Sequence, residues 1–226
     1  MLDKLRHLTC LQLTRIGWFE PCALPSVSFP RLVDFSLKGS INAIGDLLGS
    51  IHLPLLQKLS LGTFVVKENS EQGAKVGPAL LELQKKSRFP LVSFSLTWML
   101  EEHHNKAIRL DDFVQFLSSV ITIEELYIHA LPEGDTNTAG LMKSLCYDGH
   151  LPILPHLKVF VGTSLRDSRD AGCSHFVDFI QSRWWPTSQS QSSGLDNLEC
   201  LDIQDCNLNG TTKRELEKCH SQGLCC

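Results

Sequence analysis

The chain has 226 residues, 42% of them hydrophobic and 20% charged, long enough for a sizeable core in one domain or one stacked array. Its 21 basic and 25 acidic residues are mixed, for a net charge of −4, and no basic stripe with interleaved aromatics runs through it. That balance gives no reason to expect nucleic-acid binding. The charged opening MLDKLRHLTC argues against a secretory signal, and the most apolar long stretch, 39–61, is broken by Asp46, His52, Pro54 and Lys58, so no membrane span is expected.

Along the chain one phrase recurs: leucine, two variable residues, leucine or phenylalanine, one variable residue, another apolar residue. HLTCLQL carries it on Leu8, Leu11 and Leu13. PRLVDFSL places it on Leu32, Phe35 and Leu37, and PLLQKLSL on Leu56, Leu59 and Leu61. FPLVSFSL follows with Leu91, Phe94 and Leu96, then TIEELYI with Ile123, Leu126 and Ile128. PHLKVFVG has Leu157 and Phe160, with Gly162 in the last apolar place, and DNLECLDI ends the series on Leu198, Leu201 and Ile203. The steps between copies range from 24 residues (Leu8 to Leu32) to 41 (Leu157 to Leu198). Repetition on that scale signals a stacked array, here an irregular one.

In each phrase the last two apolar positions are two apart, the period of a strand with one buried face. Between the strands the period turns helical. INAIGDLLGSI places Ile41, Ile44, Leu47, Leu48 and Ile51 on one face; LDDFVQFLSSVI does so with Leu110, Phe113, Val114, Leu117 and Ile121. Weaker helical stretches are expected at 76–86, 139–146 and 173–184, and Thr212 and Glu215 have capping-box spacing. The expected fold is α/β: an irregular repeat solenoid of about seven short parallel strands on a concave face, with helices outside, over 1–226. Polar stretches near 67–73 and 186–194 are expected to be mobile loops, and 219–226 a loose tail. The first repeat, with little before it to cap it, is expected to expose an apolar edge and promote self-association.

These strands and helical returns resemble leucine-rich repeats of the ribonuclease-inhibitor-like kind. The P-x-L-x-x-F/L-x-L openings, and Ile180, Ser182, Arg183 and Trp184 in HFVDFIQSRWW, are similar to the repeat region of fungal, mushroom-type F-box proteins. That resemblance implies a non-catalytic module that presents a substrate protein to a cullin-type ubiquitin ligase. The family's helical F-box, which docks the Skp adaptor, has no counterpart in this sequence. Skp adaptor and cullin are therefore expected partners only if an upstream F-box exists. The alternative is a freestanding repeat scaffold or regulatory protein with no link to ubiquitin. Either reading predicts a cytoplasmic or nuclear protein.

Candidate chemistry is thin. No C-x-x-C, G-x-x-x-x-G-K-[ST], G-x-G-x-x-G or G-x-S-x-G occurs. Cys206, Cys219, His220, Cys225 and Cys226 fit no common zinc spacing, and a Cys-Cys ending is a weak lipidation signal. EEHHN at 101–105 reads as a solvated loop, and Cys173 and His175 would point to different helix faces. The nine cysteines read as reduced and mostly buried. Trp184 is expected to close the core at a helix end, with Trp185 under the following loop. No cofactor, metal or catalytic residue is expected. The candidate partner-binding row lies on the polar strand face: Lys38, Lys58, Glu125, Tyr127, His129, Asp202 and Gln204, which alternate with the buried leucines and so share one side.

Overall fold

The computed structural model describes residues 7–16, 26–64, 76–99, 109–129, 137–147, 152–164, 171–184, 195–204 and 208–225. The expected loops 67–73 and 186–194, the EEHHN stretch and Trp185 lie outside the described residues.

All seven repeated phrases form strands: β1 (Cys10–Ile16), β3 (Asp34–Ser40), β5 (Lys58–Phe64), β6 (Ser93–Met99), β7 (Glu125–His129), β8 (Val159–Thr163) and β9 (Cys200–Gln204). They make one parallel sheet in the order β1-β3-β5-β6-β7-β8-β9, which is chain order. The phrase is also the register. Leu11, Phe35, Leu59, Phe94, Leu126, Phe160 and Leu201 stand side by side, and so do Leu13, Leu37, Leu61, Leu96, Ile128, Gly162 and Ile203. In the first row leucine and phenylalanine alternate. Strands are about 4.8 Å apart, so alternation leaves each ring room between smaller neighbours. The helices fill the layer above: Phe94 meets Phe113 at 6.0 Å and Phe116 edge-on at 5.4 Å, and Phe160 meets Phe179 edge-on at 5.3 Å.

The entry to each strand repeats as well. The carbonyl of Thr9 accepts the amides of Val33 and Asp34. Val33 does the same for Gln57 and Lys58, Gln57 for Val92 and Ser93, Val92 for Glu124 and Glu125, Glu124 for Lys158 and Val159, and Lys158 for Glu199 and Cys200. Before most strands a turn buries one apolar residue: Phe29, Leu53, Val120 and Leu154 each accept from the amide three residues on. The 24-residue echo extends further upstream than the phrase itself. Val27–Ser28 (β2) and Ile51–His52 (β4) pair in a separate two-stranded parallel sheet. The sequence reading did not anticipate that pair.

The helices are α1 (Ile41–Ser50), α2 (Val76–Ser87), α3 (Leu110–Ser119), α4 (Asn137–Leu145), α5 (Ala171–Arg183) and α6 (Gly210–Ser221), and each packs on the next. One continuous core joins them to the leucine side of the sheet. One face departs from the expected periodicity. In α3 the buried residues are Phe113, Phe116 and Leu117, while Ile121 is 56% exposed. The helix ends at Ser119 and Val120 turns inward, so the count of 3.6 no longer applies at 121. In α5 the buried face is Phe176, Phe179, Ile180 and Arg183, with Val177 only half-buried. Trp184 is buried at the end of α5, as expected.

Thr212 and Glu215 do not form a cap. Thr212 lies inside α6 and is buried; the cap is Asn209, whose Oδ1 accepts the Thr212 amide at 2.9 Å. The segment after it is not loose. Leu224 is 1% exposed, Cys219 is buried, and Cys225 bridges in parallel to Cys200. Burial of Leu224 anchors residues that were expected to form a loose tail.

Arg183 is fully buried, although the sequence marked it only as part of a family phrase. Its guanidinium donates to the carbonyls of Leu145 (3.0 Å), Leu154 (2.7 Å) and Ile153. Leu145 ends α4, so one end of the fork caps a helix C-terminus. Leu154 sits at φ +55°, a conformation that leucine seldom adopts, and Arg183 pins its carbonyl. Ser182 completes the fastener, accepting the Tyr147 amide at 3.1 Å. Burial lowers the Arg183 pKa to about 10, leaving the group charged at neutral pH. In the earlier part of the chain a lighter device does similar work: Ser87 accepts the Leu53 amide at 2.9 Å, and Lys86 donates to the Gly49 carbonyl at the end of α1.

Candidate partner-binding face

The side of the sheet opposite the helices follows from the same alternation. Three rows cross it. The first is Cys10, Asp34, Lys58, Ser93, Glu125, Val159 and Cys200. The second is Gln12, Ser36, Ser60, Ser95, Tyr127, Val161 and Asp202. The third runs Lys38, Gly62, Thr97, His129, Thr163 and Gln204. All of these but Gly62 are at least partly exposed.

The seven candidate residues therefore lie on one face, but in two groups. Lys38 and Lys58 are exposed on adjacent strands β3 and β5. The Lys38 stem lies across Gly62: a Cβ there would stand 2.9 Å from Lys38 Cγ. Glu125, Tyr127 and His129 are on β7, and Asp202 and Gln204 on β9. Between the groups stands β6, which places Ser93, Ser95 and Thr97 on this face. The face is thus only weakly basic towards β3 and β5, where Asp34 stands beside Lys58, uncharged in the middle, and acidic towards β7 and β9.

Within the acidic group the side chains hold one another. The Tyr127 hydroxyl donates to Glu125 Oε2 at 3.4 Å, and Gln204 Nε2 donates to Asp202 Oδ2 at 2.7 Å. Partial burial, then the Glu125 charge and its hydrogen bond, push the Tyr127 pKa up, so the phenol stays protonated as a donor. Two further charge pairs, Lys158–Glu124 at 3.0 Å and His156–Asp196 at 3.2 Å, lie at the strand entrances rather than on the face.

Val159 and Val161 were not among the candidates, yet they sit beside Glu125 and Tyr127 and are only half-buried. Their signal was in the sequence. Val159, Phe160 and Val161 make β8 apolar on both sides, which marks a strand covered on both faces. Here the valines on one of those faces stay partly exposed. Cys200 and Asp202 border the valines on β9.

The cysteines correct another expectation. Of the five whose side chains are described, only Cys219 is buried; Cys10 and Cys225 are exposed, and Cys146 and Cys200 are intermediate. The repeat places Cys10 and Cys200 at intervening positions of their strands, on the open face. Cys206 and Cys226 lie outside the described residues. Among the described residues no group of three histidine, cysteine or carboxylate side chains is placed to hold a metal. His175 stands 3.6 Å from Asp178 on the same helix. No described helix is long and apolar enough to cross a membrane.

No protein-family model matches this chain, and no curated protein matches it.

Proposed function

We propose that the chain is an irregular leucine-rich repeat solenoid whose open sheet face binds a protein partner without catalysis. The observation that carries the reading is the cluster Tyr127, Val159 and Val161, half-exposed on the sheet face and flanked by Glu125 and Asp202. A strand that is apolar on both sides has a face to cover, and a tyrosine held by a carboxylate is a rigid anchor of the kind that dominates interfaces. The flanking carboxylates select a partner segment with a large apolar side chain next to lysine or arginine. The basic pair Lys38 and Lys58 lies further along the same face and would receive the partner's acidic side.

Selection of a random peptide display library on the immobilised chain tests this. Enriched sequences should carry an apolar residue beside basic ones. Val161→Asp or Tyr127→Ala should abolish enrichment, while Lys213→Ala on the exposed side of α6 should not. Enrichment that survives both face variants would place binding elsewhere.

The resemblance to fungal F-box proteins supports a ligase substrate as the partner. Affinity capture with a chain extended through any upstream reading frame separates the two settings. Skp adaptor and cullin recovered only with the extended form would support the substrate-receptor role. Neither recovered with either form would favour a freestanding scaffold.

A further inference from the structure

The first row of the open face does not stop at β9. Cys225 pairs in parallel with Cys200: the Leu201 amide donates to the Cys225 carbonyl at 2.7 Å, and the Cys225 amide to the Glu199 carbonyl at 3.2 Å. Residues paired in this way project side chains to the same side of a sheet, on backbones about 4.8 Å apart, inside the Cα range that a disulfide spans. Leu224, buried next to Cys225, and Cys219 one turn back hold the segment in place.

We propose that Cys200 and Cys225 are a paired-thiol modification site, which reacts with a low-molecular-weight disulfide to join the 219–225 segment covalently to strand β9. The exposed Cys225 is the attacking group. Its thiolate displaces one thiolate from the small disulfide and forms a mixed disulfide. Cys200 then gives its proton to solvent, its sulfur attacks the Cys225 sulfur, and the second thiolate leaves. The protein loses two hydrogens, and the small disulfide is reduced to two thiols. The division of roles agrees with the environment: burial, and next the Cys225 neighbour, push the Cys200 thiol pKa up, so it serves better as the resolving thiol than as the first nucleophile. The site is independent of the partner reading, because it needs only the pairing of β9 with Cys225.

The experiment treats the full chain with oxidised glutathione and maps disulfides by mass spectrometry. A Cys200–Cys225 bond with both glutathiones released is the expected product, abolished by Cys200→Ser and by Cys225→Ser and retained in Cys226→Ser. Hydrogen exchange at the Leu201 amide should slow by about tenfold or more on oxidation, because local opening of the segment is then tethered. Because Cys225 is exposed, Cys225→Ser keeps the test valid if Cys200→Ser fails to fold. Persistent glutathione on Cys225 beside a free Cys200, a bond from Cys225 or Cys226 to Cys206 or Cys219, or no reaction at Cys225 would each overturn the proposal.

Discussion

The two ends of the sheet are finished differently. At the first end, β1 carries the repeat phrase in full, yet Leu11, Leu13 and Ile16 remain half-exposed where their counterparts on β3 and β5 are buried. Its pairing slips after Leu13, where Arg15 takes φ +58° and Ile16 comes to lie opposite Gly39. A Cβ on Gly39 would stand 2.6 Å from the Ile16 carbonyl oxygen, so glycine admits that close approach. At the last end, β9 is followed by α6, a buried Leu224 and a backbone bridge from Cys225. A strand at the end of a sheet has a neighbour on one side only, so its apolar side chains need something else to cover them. The last strand has such a seal in the described residues.

Breaking the fastener beside the sealed end should have the largest effect. Arg183→Ala removes a fork that satisfies three carbonyls and leaves them buried, and should cost about 3 to 5 kcal/mol. Urea denaturation followed by circular dichroism would read it as a midpoint shift. If the loss were under about 1 kcal/mol, water would be replacing the guanidinium and the fastener would be dispensable. The comparison of ends is sharpened by a matched pair. Leu224→Ala should cost about 3 kcal/mol and Leu13→Ala about 1, because only the former empties a closed site. Equal losses in the same denaturation assay would mean that the ends are equally packed. The smallest effect is at the α6 cap: Asn209→Ala should cost about 1 kcal/mol, and Asn209→Asp should retain most of that stability.

Most of the sheet was legible because strand and register rest on one local rule. Leucine at alternate positions points to the core in every copy, and a copy that slipped by one residue would expose all its leucines. The same rule put Lys38, Lys58, Glu125, Tyr127, His129, Asp202 and Gln204 on one face. It could not group them, since their separation into a basic and an acidic end depends on strand order. Val159 and Val161 were passed over because an apolar residue at an intervening position looks like core until the other side of that strand is seen to be open.

The sequence by itself determined the seven strands of the main sheet, their inward residues and the helical returns, because each follows from periods of two and 3.6 acting within one copy. Only the tertiary structure decided that Arg183 is buried, that Asn209 rather than Thr212 caps α6, and that Cys225 lies beside Cys200. Those outcomes depend on which distant carbonyls, amides and cavities meet a side chain. Arg183 finds Leu154 across 29 residues, and Leu201 finds Cys225 across a helix. No local pattern carries such a distance. It is set when neighbouring copies close on one another and each buried polar group must find a partner.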